Sequence, residues 1–512
     1  MIEENKSSMK NSVRRIIIAG IGVLIQIIWV VVLVMRLNQY SQIITLLTVA
    51  IELVLVLAVY SMDTNAAFKL PWIILITVAP IVGICVFFLF GRSGATKKVR
   101  ARYRKIDQQL LAYLNQDEQI IEELSKKDER LANDFKYLWK CASSPVYKNT
   151  DVKYYGDTCD AMAAQLEDMM QAKKFIFLEY HAIEMAESFQ ALRKVLMAKA
   201  REGVEIRILY DDAGCIGFLN PRFIKYMESM GIQCRVFNPI MPVLNIFMNN
   251  RDHRKITVID GKVAYTGGYN LADEYFNITH PYGQWKDSGI RFEGDAVQTA
   301  TILFLEMWNA LREQDVDIEK YLPVYPYKAK EQGFFALYGD SPLDKEPAGE
   351  NVYMNLLRHA KKYIYFTTPY LILSDEMTRE LTGAAKRGVD VRIITPGIPD
   401  KKTIFQVTKS YYPQLLKHGV KIYEYTPGFM HEKQCICDGE IVVVGTINLD
   451  FRSLYLHFEN AALFCGYEAV SHVKEDFDAL FPICKDMSKE PSERTRRLRL
   501  SQLILRLFSP LM

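Results

Sequence analysis

The chain has 512 residues, half of them apolar and 24% charged, with a formal net charge of +3. That length holds two or three domains with substantial cores, and so small a net charge gives no argument for nucleic acid as a partner. Nine dispersed cysteines without a Cys-x-x-Cys pair argue against a disulfide framework and read as reduced thiols facing a cytosol; Cys435 and Cys437, too close for a zinc knuckle, read as small residues on one strand face.

In chain order, residues 16–35 and 71–90 are free of charge, and 43–60 is apolar except for Glu52. Roughly 20 helical residues span a bilayer core, so residues 1–92 are expected to be a membrane anchor of two or three hydrophobic segments. Glu52 would be costly in lipid unless it faces a neighbouring helix. A cleaved signal peptide does not fit several such segments. Lys6, Lys10, Arg14 and Arg15 precede the first segment, whereas Arg92, Lys97, Lys98, Arg100, Arg102, Arg104 and Lys105 follow the last. The larger cluster places the C-terminal part in the cytoplasm by the positive-inside rule and leaves the number of crossings open. It also suits anionic headgroups.

Residues 93–142 read as a basic, helical linker, in which 106–140 carries Leu and Ile at helical spacing without Gly or Pro. This predicts one or two amphipathic helices standing off the membrane. Two similar halves follow, 143–330 and 331–512. Ala172-Lys173-Lys174-Phe175-Ile176-Phe177 is repeated as Ala360-Lys361-Lys362-Tyr363-Ile364-Tyr365, and residues 200–209 as 385–394. In each half a β-branched and aromatic run, a helical stretch, a Gly and a second such run predict a β-α-β unit with a parallel sheet. The fold class is therefore α/β, two similar halves about a pseudo-twofold axis, joined where Pro and Gly crowd residues 325–350.

The repeat carries the chemistry. His253, Lys255, Asp260, Gly267, Gly268 and Asn270 recur at identical spacings as His431, Lys433, Asp438, Gly445, Thr446 and Asn448. One His-x-Lys is close to noise; two copies in register are not. His and Lys alternate along a strand and so share a face. Two facing copies would offer two imidazoles, two ammonium groups and two amides, an inventory suited to a phosphodiester. Lys and Asn would hold the non-bridging oxygens, one His would attack phosphorus, and the other would protonate the leaving alcohol. The glycines would let backbone approach the phosphate. No cation cage is evident, so neither metal nor cofactor is expected. Asp260 and Asp438, each before a Gly, belong to the motif and read either as part of the chemistry or as Asp-Gly turns between strands.

The duplicated His-x-Lys-x4-Asp with its Gly-small-x-Asn tail resembles the phospholipase D superfamily. Together with residues 202–214 (EGVEIRILYDDAG), 338–344 (YGDSPLD), 448–453 (NLDFRS) and 506–510 (RLFSP), it is similar to bacterial cardiolipin synthases of that type. The resemblance implies a phosphatidyltransferase in which His253 takes the phosphatidyl group from one phosphatidylglycerol, glycerol leaves, and a second phosphatidylglycerol accepts it to give cardiolipin. It implies His431 as acid-base, and Asp287 and Glu459, downstream of the first and second motif, as the carboxylates that each orient the imidazole of their own motif. Thr446 stands where many relatives have Ser and keeps the hydroxyl. The implied partners are phosphatidylglycerol and other anionic lipids of a bacterial cell membrane, with a multi-pass chain whose catalytic part is cytoplasmic. The same motifs also fit a hydrolase or a transferase with another acceptor alcohol, and a non-catalytic membrane scaffold is the reading from a different class. Residues 494–508, which interleave Arg and Leu, read as an amphipathic helix lying either on the membrane interface or on the enzyme body.

Overall fold

The computed structural model describes residues 24–25, 28–29, 31–32, 35, 42–88, 97–219, 222–240, 249–312, 315, 317–490 and 498–511. The first half contributes β1 (Thr150–Tyr155), β2 (Phe175–Tyr180), β3 (Glu205–Asp211), β4 (Gln233–Phe237), β5 (Arg251–Asp252), β6 (Lys255–Ile259), β7 (Val263–Gly267), β8 (Gln284–Lys286) and β9 (Gly289–Gly294). The second contributes β10 (Phe334–Asp340), β11 (Tyr363–Thr367), β12 (Asp390–Pro396), β13 (Lys421–Tyr425), β14 (Gly428–Met430), β15 (Gln434–Cys437), β16 (Ile441–Gly445), β17 (His457–Cys465) and β18 (Cys484–Asp486). The first sheet has the order β1-β9-β7-β6-β2-β3-β4; the second repeats it as β10-β17-β16-β15-β11-β12-β13 and adds β18. The internal repeat in the sequence is thus a repeat of topology.

The predicted parallel sheet is only part of each half. Strands β2, β3 and β4 run parallel, as do β11, β12 and β13, but the His-x-Lys strands β6 and β15 join antiparallel. Each of these His-x-Lys strands also forms an antiparallel hairpin with the next, through the tight turn after Ile259 or Cys437, because so short a connection can only return antiparallel. The stretch 325–350 also contains β10, the first strand of the second half.

Side chains alternate between two environments along the central strands. Phe175 and Phe177 of β2, and Tyr365 and Ile436 of the second sheet, enter a core shared by both halves with helices Val297–Leu311 and Ala469–Leu480. Ile176, Leu178 and Tyr180 face the first half's own outer core, and Ile364, Phe366, Cys435 and Cys437 that of the second. The two halves are therefore cemented by one apolar interior. All nine cysteines are free, and Cys435 and Cys437 share one strand face as expected.

Residues 97–142 do not stand off as a spacer. Helices Lys97–Leu110, Glu118–Lys127 and Glu129–Ala142 lie on the catalytic halves, burying Tyr103, Ile106, Leu110, Ile121, Leu124, Phe135 and Leu138. Tyr103 stacks on Phe458 with ring centroids 5.4 Å apart. The amphipathic pattern was legible, but its apolar stripe is satisfied by the enzyme body.

The anchor also needs correction. The 16–35 segment falls mostly outside the described residues, and among those described no helix is long and apolar enough to cross a membrane. The 43–60 segment forms helix Gln42–Tyr60, with the half-buried Glu52 at its middle. The 71–90 segment is not one helix: Ala66–Val78 ends at Ala79, and Pro80 starts the separate helix Pro80–Val86. Proline has no N–H to continue the first helix. The three helices share a small core around Val59, Ile76 and Phe87, while Leu46, Leu53, Val54, Leu57 and Val78 face outward.

Candidate active site

Two short strand pairings between the halves build the site. β5 runs parallel to the start of β17, so that the His253 N–H donates to Phe458 O at 2.9 Å. β8 runs parallel to β14, so that the His431 N–H donates to Lys286 O at 2.8 Å. These equivalent exchanges carry each motif histidine into the opposite half. His253 Nδ1 lies 2.8 Å from Glu459 Oε2, and His431 Nδ1 lies 2.5 Å from Asp287 Oδ2. The expectation that each carboxylate serves its own motif is therefore corrected, since every imidazole is oriented by the carboxylate of the other half. A Nδ1–H held by a carboxylate leaves Nε2 as the basic nitrogen.

The glycines make room for this arrangement rather than for a ligand. A Cβ on Gly268 would lie 2.0 Å from Asp287 Oδ1, and one on Gly267 would lie 2.4 Å from Ser288 O. In the second half a Cβ on Gly445 would meet Asn460 O at 2.4 Å. Thr446 replaces Gly268 there, and its hydroxyl donates to Glu459 Oε2. Expected to admit a phosphate, these positions instead admit the neighbouring strand and its carboxylate.

Lys255 and Lys433 are buried, and each ammonium donates to the backbone carbonyl of its own motif histidine. Lys433 Nζ also lies 2.7 Å from His431 Nδ1; with the Nδ1 proton directed at Asp287, the lysine acts there as a neighbouring charge. Burial lowers Lys255 to about 8 and Lys433 to about 7. Burial, then the two lysines, hold both imidazoles well below their ordinary range, and burial raises Asp287 to about 6. Neighbouring carboxylates, Glu459 and Asp287 among them, offset only part of the lysines' desolvation.

Asn270 and Asn448 both line the cavity. Asn270 is already tied, accepting from Ala182 N at 3.1 Å and donating to the Tyr275 hydroxyl at 2.8 Å. Asn448 Oδ1 is buried and finds no hydrogen-bond partner among the described residues.

Asp260 and Asp438 do not join the constellation. Asp260 sits at the far end of β6, with φ +54°, and accepts from Lys173, Lys174 and Phe175 N–H at 2.7–2.9 Å. Asp438 repeats this with Lys361, Lys362 and Tyr363. Each fixes the start of the neighbouring strand, so the catalytic reading of the motif aspartates is replaced by the turn reading. Asp260→Ala should lower stability by about 3 kcal/mol, through the loss of charge-assisted bonds and a left-handed φ that Ala tolerates poorly. Turnover per folded molecule should be retained; a chemical-denaturation midpoint beside active-site-normalised rates checks both.

The histidines and asparagines open into a cavity of about 660 Å³ between the halves. Several of its residues escaped the sequence reading. The His181 Nδ1–H donates to Asp252 O, 2.7 Å away, and its ring lies 5.0 Å from that of His253. His457 lies 5.6 Å from His253 on the other side, and burial lowers it to about 3. The signal for His457 was its position two residues before Glu459 on one strand, and His181 had none because it comes from a distant β-α connection. His431 is instead flanked by Trp285 at 5.0 Å, Tyr275 at 5.2 Å and Phe429 at 5.8 Å. His253, His457 and Glu459 offer ligand atoms within 4.8 Å of one another, a spacing that suits a metal ion; two of those residues already pair through the His253–Glu459 hydrogen bond.

Comparison with known proteins gives a consistent outcome. Residues 166–308 and 353–481 match the family model described as "Cardiolipin synthase, PLD-like domain". An uncharacterized protein of Streptococcus mutans is 39% identical, over 90% of this chain and 99% of its own length. Cardiolipin synthase of Halalkalibacterium halodurans is 32% identical, over 86% of this chain and 87% of its own, and cardiolipin synthase 2 of Bacillus anthracis is 30% identical, over 86% of each. Phosphatidylserine synthase of Haemophilus influenzae superposes with a TM-score of 0.57, covering 75% of this chain and 98% of that one, at 12% identity, a likeness of fold.

Proposed function

Since the chain belongs to the cardiolipin synthase family with phospholipase D-like domains, enzymes of phosphatidyl transfer, we propose that it transfers a phosphatidyl group between two phosphatidylglycerol molecules, releasing glycerol and forming cardiolipin. The observation that carries this reading is the crossed pair of imidazoles at one cavity, each Nδ1 held by a carboxylate from the opposite half.

In the first step His253 Nε2 attacks phosphorus, the bond from phosphorus to the glycerol oxygen breaks, and the proton on His431 passes to that oxygen. A phosphatidyl-histidine results. In the second step His431 removes the proton from a hydroxyl of the second phosphatidylglycerol, whose oxygen displaces His253. Lys255 and Lys433 sit beside the two histidines, where charge on the non-bridging oxygens develops. The asymmetry of the flanks supports this division of labour. Aromatic rings around His431 favour its cationic, acid form, an offset that His253 lacks, although burial and the same lysine charges lower both imidazoles. The bound phosphodiester supplies the negative charge that brings the lysines and His431 back to their protonated forms.

The outward-facing apolar side chains of helix Gln42–Tyr60 and the basic residues of helix Lys97–Leu110 support a membrane-bound enzyme with its catalytic halves on the cytoplasmic side. Purified protein in phosphatidylglycerol vesicles should yield cardiolipin and glycerol in equal amounts. Phosphatidic acid with glycerol and no cardiolipin would make it a hydrolase instead.

The pH profile provides a second test. Asp287 must be ionised to hold His431, so kcat/KM should rise as pH climbs through about 6. The two lysines are depressed cations whose charge disappears as pH rises through their folded values, so kcat/KM should fall beyond about 7 to 8. Lys433→Arg, permanently charged, should carry the alkaline limb to higher pH at reduced maximal rate. A profile unchanged by that substitution would remove Lys433 from the alkaline limb.

A further inference from the structure

Helix Leu500–Phe508, close to the C-terminus, is divided lengthwise between two environments. Its inner face lies on helix Lys402–Lys417. There Gln502 is buried, Leu505 packs against the core of the second half, and the Arg506 guanidinium sits 4.0 Å from the Tyr411 ring centroid. Leu500, Leu503, Ile504 and Phe508 are instead 38–73% exposed. Positions 500, 503, 504 and 508 fall on one face of a helix with 3.6 residues per turn, so they form a single apolar stripe. The packing on the enzyme body expected for residues 494–508 is present, yet it uses only one face.

The stripe has apolar company. Helix Ala66–Val78 packs beside Leu500–Phe508 and exposes Leu70, Ile74 and Val78. Helix Gln42–Tyr60, packed on Ala66–Val78 in turn, carries the outward-facing Leu46, Leu53, Val54 and Leu57. Exposed apolar side chains on three neighbouring helices mark an interface rather than a water-facing surface. The charges nearby select what covers it. Arg494, Arg496, Arg497 and Arg499 precede the C-terminal helix, and Glu493 is the sole acidic residue of 491–508. Cations before a helix N-terminus oppose the helix dipole, so this run does not serve the helix itself. Beside an apolar stripe it fits the anionic headgroups and acyl chains of a bilayer surface.

The seat of this helix ties it to the reacting centre. Ser509, the residue that follows it, is buried and lines the catalytic cavity. Lys401 and Ile404, at the start of the helix on which it lies, line the same cavity. We propose that helix Leu500–Phe508 lies in the interface of an anionic bilayer, its four exposed apolar side chains among the acyl chains and the arginines before it among the headgroups. The apolar face of such a helix reaches about 5–10 Å into the boundary between headgroups and acyl chains, which keeps this side of the catalytic cavity at headgroup level. This rests on the reading of the protein as a membrane-bound, phosphatidylglycerol-dependent transferase, whose reacting phosphodiesters lie at that level.

The test uses the full-length protein reconstituted in dioleoyl phosphatidylglycerol vesicles. Ile504→p-benzoylphenylalanine should form lipid adducts on illumination, whereas Leu505→p-benzoylphenylalanine, on the inner face, should crosslink within the chain. Leu53→p-benzoylphenylalanine, on the outer side of helix Gln42–Tyr60, is the reference. Lipid adducts at 53 and none at 504, or adducts at 504 with a second copy of the chain, would overturn the proposal. Kinetics give a second readout. Leu503→Ser combined with Ile504→Ser changes only exposed side chains, so the fold should persist. This pair should lower kcat/KM on the vesicles about 10-fold or more, through lost apolar burial in lipid. On dihexanoyl phosphatidylglycerol below its micelle concentration it should stay within about two-fold of the parent, because no surface has to be bound. Equal loss on both lipids, or loss on neither, would overturn the interfacial helix while leaving the transferase intact. A parent inactive on both would overturn the transferase reading instead, and the lipid adducts, which need no turnover, decide the helix in that case.

Discussion

His253→Ala should abolish transfer, a fall of about 10⁴-fold or more, because in the proposed mechanism no covalent intermediate can form without this histidine. His431→Ala should fall by about 10²–10⁴-fold with phosphatidylglycerol, since glycerol is a poor leaving group that needs a proton. A donor carrying p-nitrophenolate separates the two roles, because that leaving group departs unprotonated. With it, His431→Ala should still release a single-turnover burst of p-nitrophenol and then stall, lacking the base that activates the acceptor. His253→Ala should give no burst. A burst from His253→Ala and none from His431→Ala would reverse the assignment of nucleophile and acid.

The carboxylates provide the second large effect, and its direction is set by the crossing between halves. Glu459 is bonded to His253, and Asp287 to His431. A carboxylate-to-amide change at such a position leaves the shape but selects the wrong tautomer, costing about 10⁴-fold in a serine protease. Glu459→Gln and Asp287→Asn should each approach that magnitude with phosphatidylglycerol. With the p-nitrophenyl donor, Glu459→Gln should behave as a His253 variant and lose the burst, and Asp287→Asn should behave as a His431 variant and keep it. Position along the chain predicts the opposite, since Glu459 follows His431 and Asp287 follows His253. Stopped-flow absorbance on the four variants decides between the two pairings.

The contrast between these carboxylates and the motif aspartates shows how far residue spacing can be read. Asp260 and Asp438 act within a few strand widths of their own position, on turns that their Asp-Gly pairs announced. Asp287 and Glu459 act across the join, where nothing in their local sequence names the recipient. His181 shows the same limit, reaching the site from a strand end far from either motif.

The anchor and linker were misread for a related reason. Apolar periodicity reports that a face must be covered, and both helices of 97–110 and 129–142 obey it. Whether lipid, a neighbouring helix or the enzyme body covers that face is decided by what the fold brings close. Pro80 divides the third apolar stretch by starting a new helix after Ala79, whereas Pro71 is carried near the start of Ala66–Val78, and hydropathy distinguishes neither.

The sequence by itself determined the duplicated α/β halves, the paired His-x-Lys strands and the turn glycines, because these follow from local periodicity and from spacing that two copies must share. Only the tertiary structure decided which carboxylate serves which histidine and what the glycines make room for. Those relations depend on strands β5, β8, β14 and β17 exchanging partners between halves. Hydrogen bonds between residues 206 and 144 positions apart leave no local pattern in the chain.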